Sequence, residues 1–517
     1  MVEFPMFTRK NKGEIKMIKF KEGESRQQGI LFPNTIEDYI PKGHLAKLVL
    51  TIVESLNLKK IVAKYSKLGQ RAVDPVILVA ILFYGYSIGV RSSRKLAMSC
   101  EDRLDFMYLA AGLKPSYKTI SEFRRENLEE VKELFQEIIL IGIKLGLVKI
   151  GNINVSIDGS KIRANASGKL SKDEEGLKKL LKDVEEKVAT IMSEAENIDR
   201  KEDTENGNAR GDELPKELNK LKNKKETIKQ AINELKKEKE QLRKDIIEKK
   251  GNITKAEEKK IEKRKINLTD NNAPYMKERV GCIRTNYNGQ ASVEEDEQFI
   301  LANDVTADCN DKKQLIPMVN QTEENIGANV DKAKADSGYH SAQNLADVNK
   351  MGIDAYIDDP NRQRVDNDNY KYDKVNFKYD PKSDSYTCPE GKKLELKSQK
   401  DDKSTYKCKD CGLCPVKASC TKSKTRIIER NKNEHFVEEN RDKILSKEGK
   451  KKYQKRMHTV EPVFGNLKFN LGFTQFLLRG LKNVKGEFNL MCIAHNIRKI
   501  GSYVTRNNMD LRLCLGS

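Results

Sequence analysis

The stretch "INVSIDGSKIRANAS", residues 153–167, alternates apolar Ile153, Val155 and Ile157 with polar neighbours. It then reaches an acid, Asp158, followed at once by Gly159, Ser160 and Lys161. A period of two marks a strand, so the stretch reads as a buried strand that ends in a carboxylate. An aspartate there has a plain use as a turn-former, because its side chain accepts hydrogen bonds from the next backbone amides. A chemical use requires other carboxylates to join it.

Two do, at a distance in the chain. The short strand "VDKAKA" (330–335) runs into Asp336, flanked by small Ser337 and Gly338 that would let a bulky ligand approach the backbone, although a turn again explains the acid. The third element is "YQKRMHTVEPVFGNLKFNLGF" (453–473), in which one helix would carry Tyr453, Arg456, Glu461 and Lys468 within roughly 140° of arc at about 100° per residue. Pro462 directly follows Glu461, so the helix either kinks there or begins there with proline in its first turn. In the second case the one-face arrangement weakens.

Three carboxylates from separate segments can hold two divalent ions about 4 Å apart, which stabilise both the attacking and the leaving oxygen of an in-line phosphoryl displacement. Hard oxygen ligands suit magnesium or manganese. Such acids repel one another without a counter-charge. Lys161, Arg163, Arg456 and Lys468 would neutralise and position DNA phosphates.

At these residues the chain resembles the DDE transposases of bacterial insertion sequences. The resemblance is carried by "SIDGSKIRANAS", "ADSGYHSAQNL" and "YQKRMHTVEPVFGNLK" in the family's order, with "YNGQASV" and "DVTADCNDKKQLIPM" as lesser support, and it covers nearly the whole chain. It implies an RNase H-like catalytic core with Asp158, Asp336 and Glu461 as first, second and third acid. Those three would hold two Mg (or Mn) ions, and Tyr453, Arg456 and Lys468 match the signature around the glutamate. One departure is that four residues separate Arg456 from Glu461, one more than in the broader superfamily. The implied reaction is cleavage of DNA at the element's end, followed by attack of the freed 3′ hydroxyl on target DNA. The implied partners are double-stranded DNA, as terminal inverted repeats and target, bound by a homodimer. A metal-dependent nuclease of the same fold shares the acids, and a domesticated zinc-containing DNA-binding protein without transposition activity would be favoured by loss of one; all three stand in place.

Composition agrees with a polyanionic partner: 98 Lys and Arg against 78 Asp and Glu leave a formal charge of +20 over 517 residues. A generally lysine-rich proteome would give the same surplus. The longest apolar run, "PVILVAILFYGYSIGV" (75–90), falls short of the ~20 residues that span a bilayer and reads as a buried helix. With no secretory pattern at the N-terminus, no membrane is expected and the cytoplasm is the default.

The fold class expected is α/β: an RNase H-like mixed sheet with flanking helices, an all-α N-terminal domain and two insertions. Residues 1–39 form an N-terminal arm and 40–150 a helical DNA-binding domain. In the latter, Thr119 and Glu122 are spaced as a capping box that would start the last helix and display Arg124 and Arg125 in its first turns, toward DNA or as a solvated charged face. Residues 151–169 and 267–360 hold the first parts of the core, where a helix opens with Asp311. Residues 170–266 carry heptads from Leu177 to Ile246, a coiled-coil hairpin whose seam lysines Lys225, Lys239 and Lys249 would weaken the second arm; pairing between subunits is the other geometry. Residues 361–430 are Cys-rich and 431–517 return to the core with Glu461.

The chain has ten cysteines, and Cys388, Cys408, Cys411, Cys414 and Cys420 cluster in "CPEGKKLELKSQKDDKSTYKCKDCGLCPVKASC". Spaced CxxC pairs give tetrahedral thiolate geometry for a structural zinc, with the ligand set open among the five. An iron–sulfur cluster or free thiols are the alternatives. Cys100, Cys282, Cys309, Cys492 and Cys514 read as scattered core residues, and His458 and His495 as packing or DNA-contacting side chains.

Overall fold

The computed structural model describes residues 35–66, 71–206, 216–278, 281–400 and 402–516. Most of the N-terminal arm and the turn between the two heptad segments lie outside the described residues.

Six strands form one mixed sheet: β1 (Asn154–Arg163), β2 (Tyr275–Lys277), β3 (Ile283–Glu294), β4 (Ile300–Thr306), β5 (Lys332–Ala335) and β6 (Asp354–Ile357). Their order is β4-β3-β1-β5-β6, with β2 on the first residues of β3. β3 is antiparallel to β1, β2 and β4, whereas β1, β5 and β6 run parallel.

The carboxylate of Asp158 does not end its strand. β3 pairs with β1 as far as Arg163, so β1 continues five residues past Asp158. The parallel ladder behaves differently, because β5 stops at Ala335, opposite Ile157. Asp158 is thus mid-strand on one side and one step beyond the ladder on the other. β5 stops there because Asp336 turns the chain, its side chain accepting from the Gly338 amide at 2.8 Å.

Among the described residues six helices of six residues or more precede the sheet: α1 (Leu45–Ser55), α2 (Pro75–Ser87), α3 (Ser93–Asp102), α4 (Leu104–Leu109), α5 (Tyr117–Glu126) and α6 (Leu128–Lys144). The apolar run does form a buried helix, α2, started by Asp74, which accepts from the Val76 amide, and by Pro75 in the first turn. Among the described residues no helix is long and apolar enough to cross a membrane. The expected capping box at Thr119 does not form. Ser116 caps α5 by accepting from the Thr119 amide, and the chain breaks at Asn127 before α6, so Arg124 and Arg125 fall in a last turn rather than a first one.

The heptad segments form two long helices, α7 (Glu174–Asn206) and α8 (Lys216–Lys250). They lie antiparallel, since Lys225 pairs with Glu185 and Lys239 with Glu174. Leu177, Val184, Ile228 and Leu235 are buried between them. The seam lysine Lys239 is buried yet compensated by Glu174 and Glu262, both at 2.9 Å. The side chain of Lys249 lies outside the described residues.

Five further helices complete the fold around the sheet: α9 (Leu315–Ile326), α10 (Ala342–Lys350), α11 (Glu434–Leu445), α12 (Lys447–Gly465) and α13 (Leu481–Arg506). α13 joins the N-terminal helices to the sheet, packing on α2, α6 and β4. Several of its polar residues are buried, and Asn496, Glu487 and His495 find backbone partners. The Asn496 amide brackets Ile300, donating to its carbonyl at 2.8 Å and accepting from its amide at 2.9 Å. Glu487 accepts from the Leu477 and Leu478 amides at 2.9 and 2.8 Å and pairs with Arg91 at 3.2 Å. One apolar core therefore runs unbroken from α1 through α13 into the sheet, so the helical region and the sheet stabilise each other.

One close approach on α13 is at Gly486, where a Cβ would lie 2.4 Å from Leu128 Cδ2 and 3.0 Å from its Cβ. Gly486→Ala should destabilise the whole protein by about 1–3 kcal/mol, since overpacking forces backbone shifts. A single lowered melting transition by calorimetry is the expected outcome; an unchanged one would detach α13 from this role.

Candidate active site

The parallel ladder sets the first two acids side by side. Ile157 pairs with Ala335, so the next residues, Asp158 and Asp336, lie abreast on neighbouring strands. The same register continues outward, because Ala335 pairs with Ile357, which brings Asp358 abreast of Asp336. Asp158 is buried, whereas Asp336 and Asp358 are half-buried.

A fourth acid enters from a different segment. Asp311 lies in the turn before α9 rather than in the helix it was expected to open, since Leu315 is the first helical residue. Its Oδ1 accepts from Asn288 Nδ2 at 2.6 Å and from Gln290 Nε2 at 2.7 Å. A Cβ on Gly159 would lie 2.6 Å from Asp311 Oδ1, and one on Gly338 would lie 3.1 Å from its Oδ2 and 2.9 Å from Asp336 Oδ1. Both glycines beside the strand-end acids make room for this carboxylate.

The counter-charge is Arg456. Its guanidinium is buried and donates to Asp158 Oδ2 at 3.3 Å. Burial nevertheless dominates at Asp158 and raises its carboxyl to about 6, with Asp336 and Asp311 pushing the same way and Arg456 against them. Burial likewise raises the Asp358 carboxyl, opposed by Arg362.

α12 carries the third expected acid. The helix runs unbroken through Pro462 to Gly465 and then opens into a π turn over Asn466–Asn470. Proline at 462 has no N–H for the His458 carbonyl, and the Gln298 side chain supplies that hydrogen bond instead at 2.8 Å. Neither a start nor a sharp break is therefore needed at Pro462. Arg456 and Glu461 stand at opposite ends of the expected arc, with contrasting fates: Arg456 is buried against Asp158, and Glu461 is exposed, with no ion pair to a described residue. The structure brings Asp158 and Asp336 together with Asp311, and leaves Glu461 on the solvent face of α12.

The expected DNA contacts divide by burial. Arg163 and Arg125 are exposed. Lys468 donates to the Lys161 carbonyl at 2.9 Å, Lys161 to the Lys277 carbonyl, and Tyr453 is half-buried beneath Arg362. Arg124 is buried, bonded to Tyr86 Oη and the Arg91 carbonyl at 3.0 Å each, so it braces α2 against α5 and is not displayed. His495 is a packing residue between the Gln298 carbonyl and Asn466, and its burial lowers it to about 4.

The cysteine-rich segment folds as a five-stranded antiparallel meander over residues 378–431 with its own small apolar cluster. Cys388, Cys408, Cys411, Cys414 and Cys420 all line one cavity of about 20 Å³. None is in a disulfide, and backbone amides point at two of the sulfurs: Lys392 N–H at Cys388 (3.2 Å) and Arg426 N–H at Cys411 (3.4 Å). Of the five cysteines read as core, Cys100 and Cys492 are buried, but Cys282 and Cys309 are exposed.

Among the described residues no three His, Cys, Asp or Glu side chains already converge as a finished metal-holding group. What the aspartates offer is the chemistry of the donor set. Hard carboxylate oxygens lie abreast at Asp158 and Asp336, and the Arg456 guanidinium compensates Asp158 only in part.

Comparison with known families gives two matches: a "Transposase DDE domain" model over residues 387–501 and a "Transposase domain (DUF772)" model over residues 34–126. The first contains the cysteine cavity from Cys388 and Glu461 but neither aspartate; the second covers α1 to α5. No curated protein and no solved structure matches the chain.

Because its folded carboxyl is raised to about 6, Asp158 holds a proton that the unfolded chain has already released between about pH 4 and pH 6. Its contribution to stability therefore falls as pH rises through that window and stays unfavourable above it. In cation-free buffer, Asp158→Asn should be more stable than the wild type at pH 7.5 by on the order of 2 kcal/mol, and the gap should close toward pH 4. A denaturant titration at both pH values checks this; an equal difference at both contradicts it.

Proposed function

We propose, from a chain that two separate domain matches assign to the insertion-sequence DDE transposases, that it binds the ends of its element and catalyses DNA strand cleavage and strand transfer. The sheet order, three antiparallel strands followed by two parallel ones, supports the RNase H-like reading of the catalytic core. The observation that carries the proposal is the pair Asp158 and Asp336 abreast on neighbouring parallel strands, with a buried guanidinium neutralising them.

Asp158 and Asp336 would hold divalent magnesium or manganese, and Glu461 would complete the set from the solvent face of α12 when DNA lies against it. The ions supply electrostatic stabilisation of the entering and leaving oxygens of the phosphodiester. Arg456 keeps Asp158 compensated until then, a role inside the site rather than on the DNA surface. Arg163 is exposed at the end of β1, where it meets phosphate, and Lys161 and Lys468 brace that edge of the strand. Tyr453 orients Arg456 from one turn earlier in α12. Arg125 extends the DNA contact to α5. Two copies of the chain, one on each inverted repeat, make up the working unit.

The test is cleavage of a duplex carrying the element's terminal inverted repeat in magnesium. Asp158→Asn, Asp336→Asn and Glu461→Gln should each lower cleavage by on the order of 10²–10³-fold or more while leaving DNA binding intact, since only transition-state stabilisation is removed. Retained cleavage by any one variant removes that residue from the site.

The cysteine meander extends the proposal to zinc. Five thiols face one small cavity, and backbone N–H groups point at the sulfurs of Cys388 and Cys411. Purified with zinc supplied, the chain should carry about one zinc by elemental analysis, and Cys411→Ser should lose most of it. Equal zinc content in both proteins contradicts this assignment.

A further inference from the structure

We infer that Asp311 is a positioning residue of the active site, acting through a hydrogen-bonded chain that sets the loop of Asp336 against the strand of Asp158; this rests on the active-site reading above. The chain runs from Asp311 to Gln290 on β3 and on to Tyr339, three residues after Asp336. All its links are protein groups. Gln290 Nε2 donates to Asp311 Oδ1 at 2.7 Å, and the Tyr339 hydroxyl donates to Gln290 Oε1. Gln290 and Tyr339 are completely buried, so neither has water as an alternative partner.

The chemistry of the two ends dictates the middle. The Gln290 amide turns its nitrogen to Asp311 Oδ1 and its oxygen to the tyrosine hydroxyl, so each end of the amide is used once. Asn288 Nδ2 shares the same Asp311 oxygen at 2.6 Å, which anchors the carboxylate to a second residue of β3. Gln290 is paired directly with Gly159 across the β1–β3 ladder, beside Asp158. Tyr339 closes the turn that Asp336 caps. One amide thus touches the neighbourhoods of both strand-end acids. A side chain at Gly159 would meet Gln290 Nε2 at 2.3 Å, so the glycine there permits the link.

By sequence, Asp311 reads as a helix start and Gly338 as room for a ligand. Asp336 Oδ1 and Asp311 Oδ2 instead lie 2.9 and 3.1 Å from where a Cβ on Gly338 would stand. A shift of the Tyr339 turn would move Asp336 relative to Asp158 and spoil their joint hold on a cation.

The test uses the full chain, with Mn²⁺ affinity measured by the electron paramagnetic resonance of free manganese and cleavage measured in parallel. Tyr339→Phe keeps the ring and deletes only the hydroxyl. It should weaken Mn²⁺ binding about tenfold, as loss of an outer partner of a metal ligand does, without lowering the melting temperature in step. Asp311→Ala should do the same. Asp311→Asn, which keeps an acceptor oxygen for both amides, should restore most of the affinity. Wild-type Mn²⁺ affinity in Tyr339→Phe overturns the inference, as does an Asp311→Asn variant as impaired as Asp311→Ala, which would make the charge the operative feature. Asp158→Asn is the control for the underlying reading: if it binds Mn²⁺ and cleaves like the wild type, the site assignment itself falls.

Discussion

Carboxylate charge gathered at the ends of adjacent parallel strands is the constraint on which the rest of this molecule depends. Burial costs a charged acid its hydration, and neighbouring acids add repulsion, so Asp158 cannot be stably ionised there without a compensating cation. Much of the surrounding structure answers that demand. α12 delivers Arg456 to Asp158, β3 delivers the amides of Asn288 and Gln290 to Asp311, and two glycines leave space for the acids to approach. A framework that gathers mutually repelling carboxylates favours cations beside them. That preference is what a phosphoryl-transfer site needs.

α13 is the element that ties the sheet to the N-terminal helices. It is buried between the N-terminal helices and β4, with Asn496 acting as a strand partner and Glu487 tying down the segment that follows the π turn. Gln298 connects both halves of this support, since its side chain caps the carbonyl left free by Pro462 in α12 and its own carbonyl meets His495 in α13. The proline after Glu461 is therefore accommodated within a continuous helix, and it leaves Glu461 on a regular, exposed turn. DNA arriving on that face would meet the acid without the helix being remade.

The strands, and an acid following each run of alternating residues, were legible because a period of two and a following small residue are local signals, written within a few positions of each acid. The buried helix α2 and the heptad helices were legible for the same reason. What the sequence concealed was decided by partners far along the chain. Asp158 continues its strand because β3 pairs beyond it, and nothing near Asp158 encodes that. Arg124 looked displayed until Tyr86 and the Arg91 carbonyl enclosed it. Ser116, one turn before Thr119, won the cap. Asp311 drew notice only as a helix opener, since its amide partners are about twenty residues away on β3. The spacing Asn288-x-Gln290 followed by an acid before a helix was the only available hint.

The most direct test of the central claim is an anomalous difference map from crystals of the full chain bound to a terminal-repeat duplex and soaked in manganese. The account predicts manganese in contact with the carboxylates of both Asp158 and Asp336, Arg456 drawn back from Asp158, and Glu461 within reach of the same ions. Manganese bound elsewhere, with Arg456 still on Asp158 and Glu461 still facing solvent beside the DNA, would contradict it.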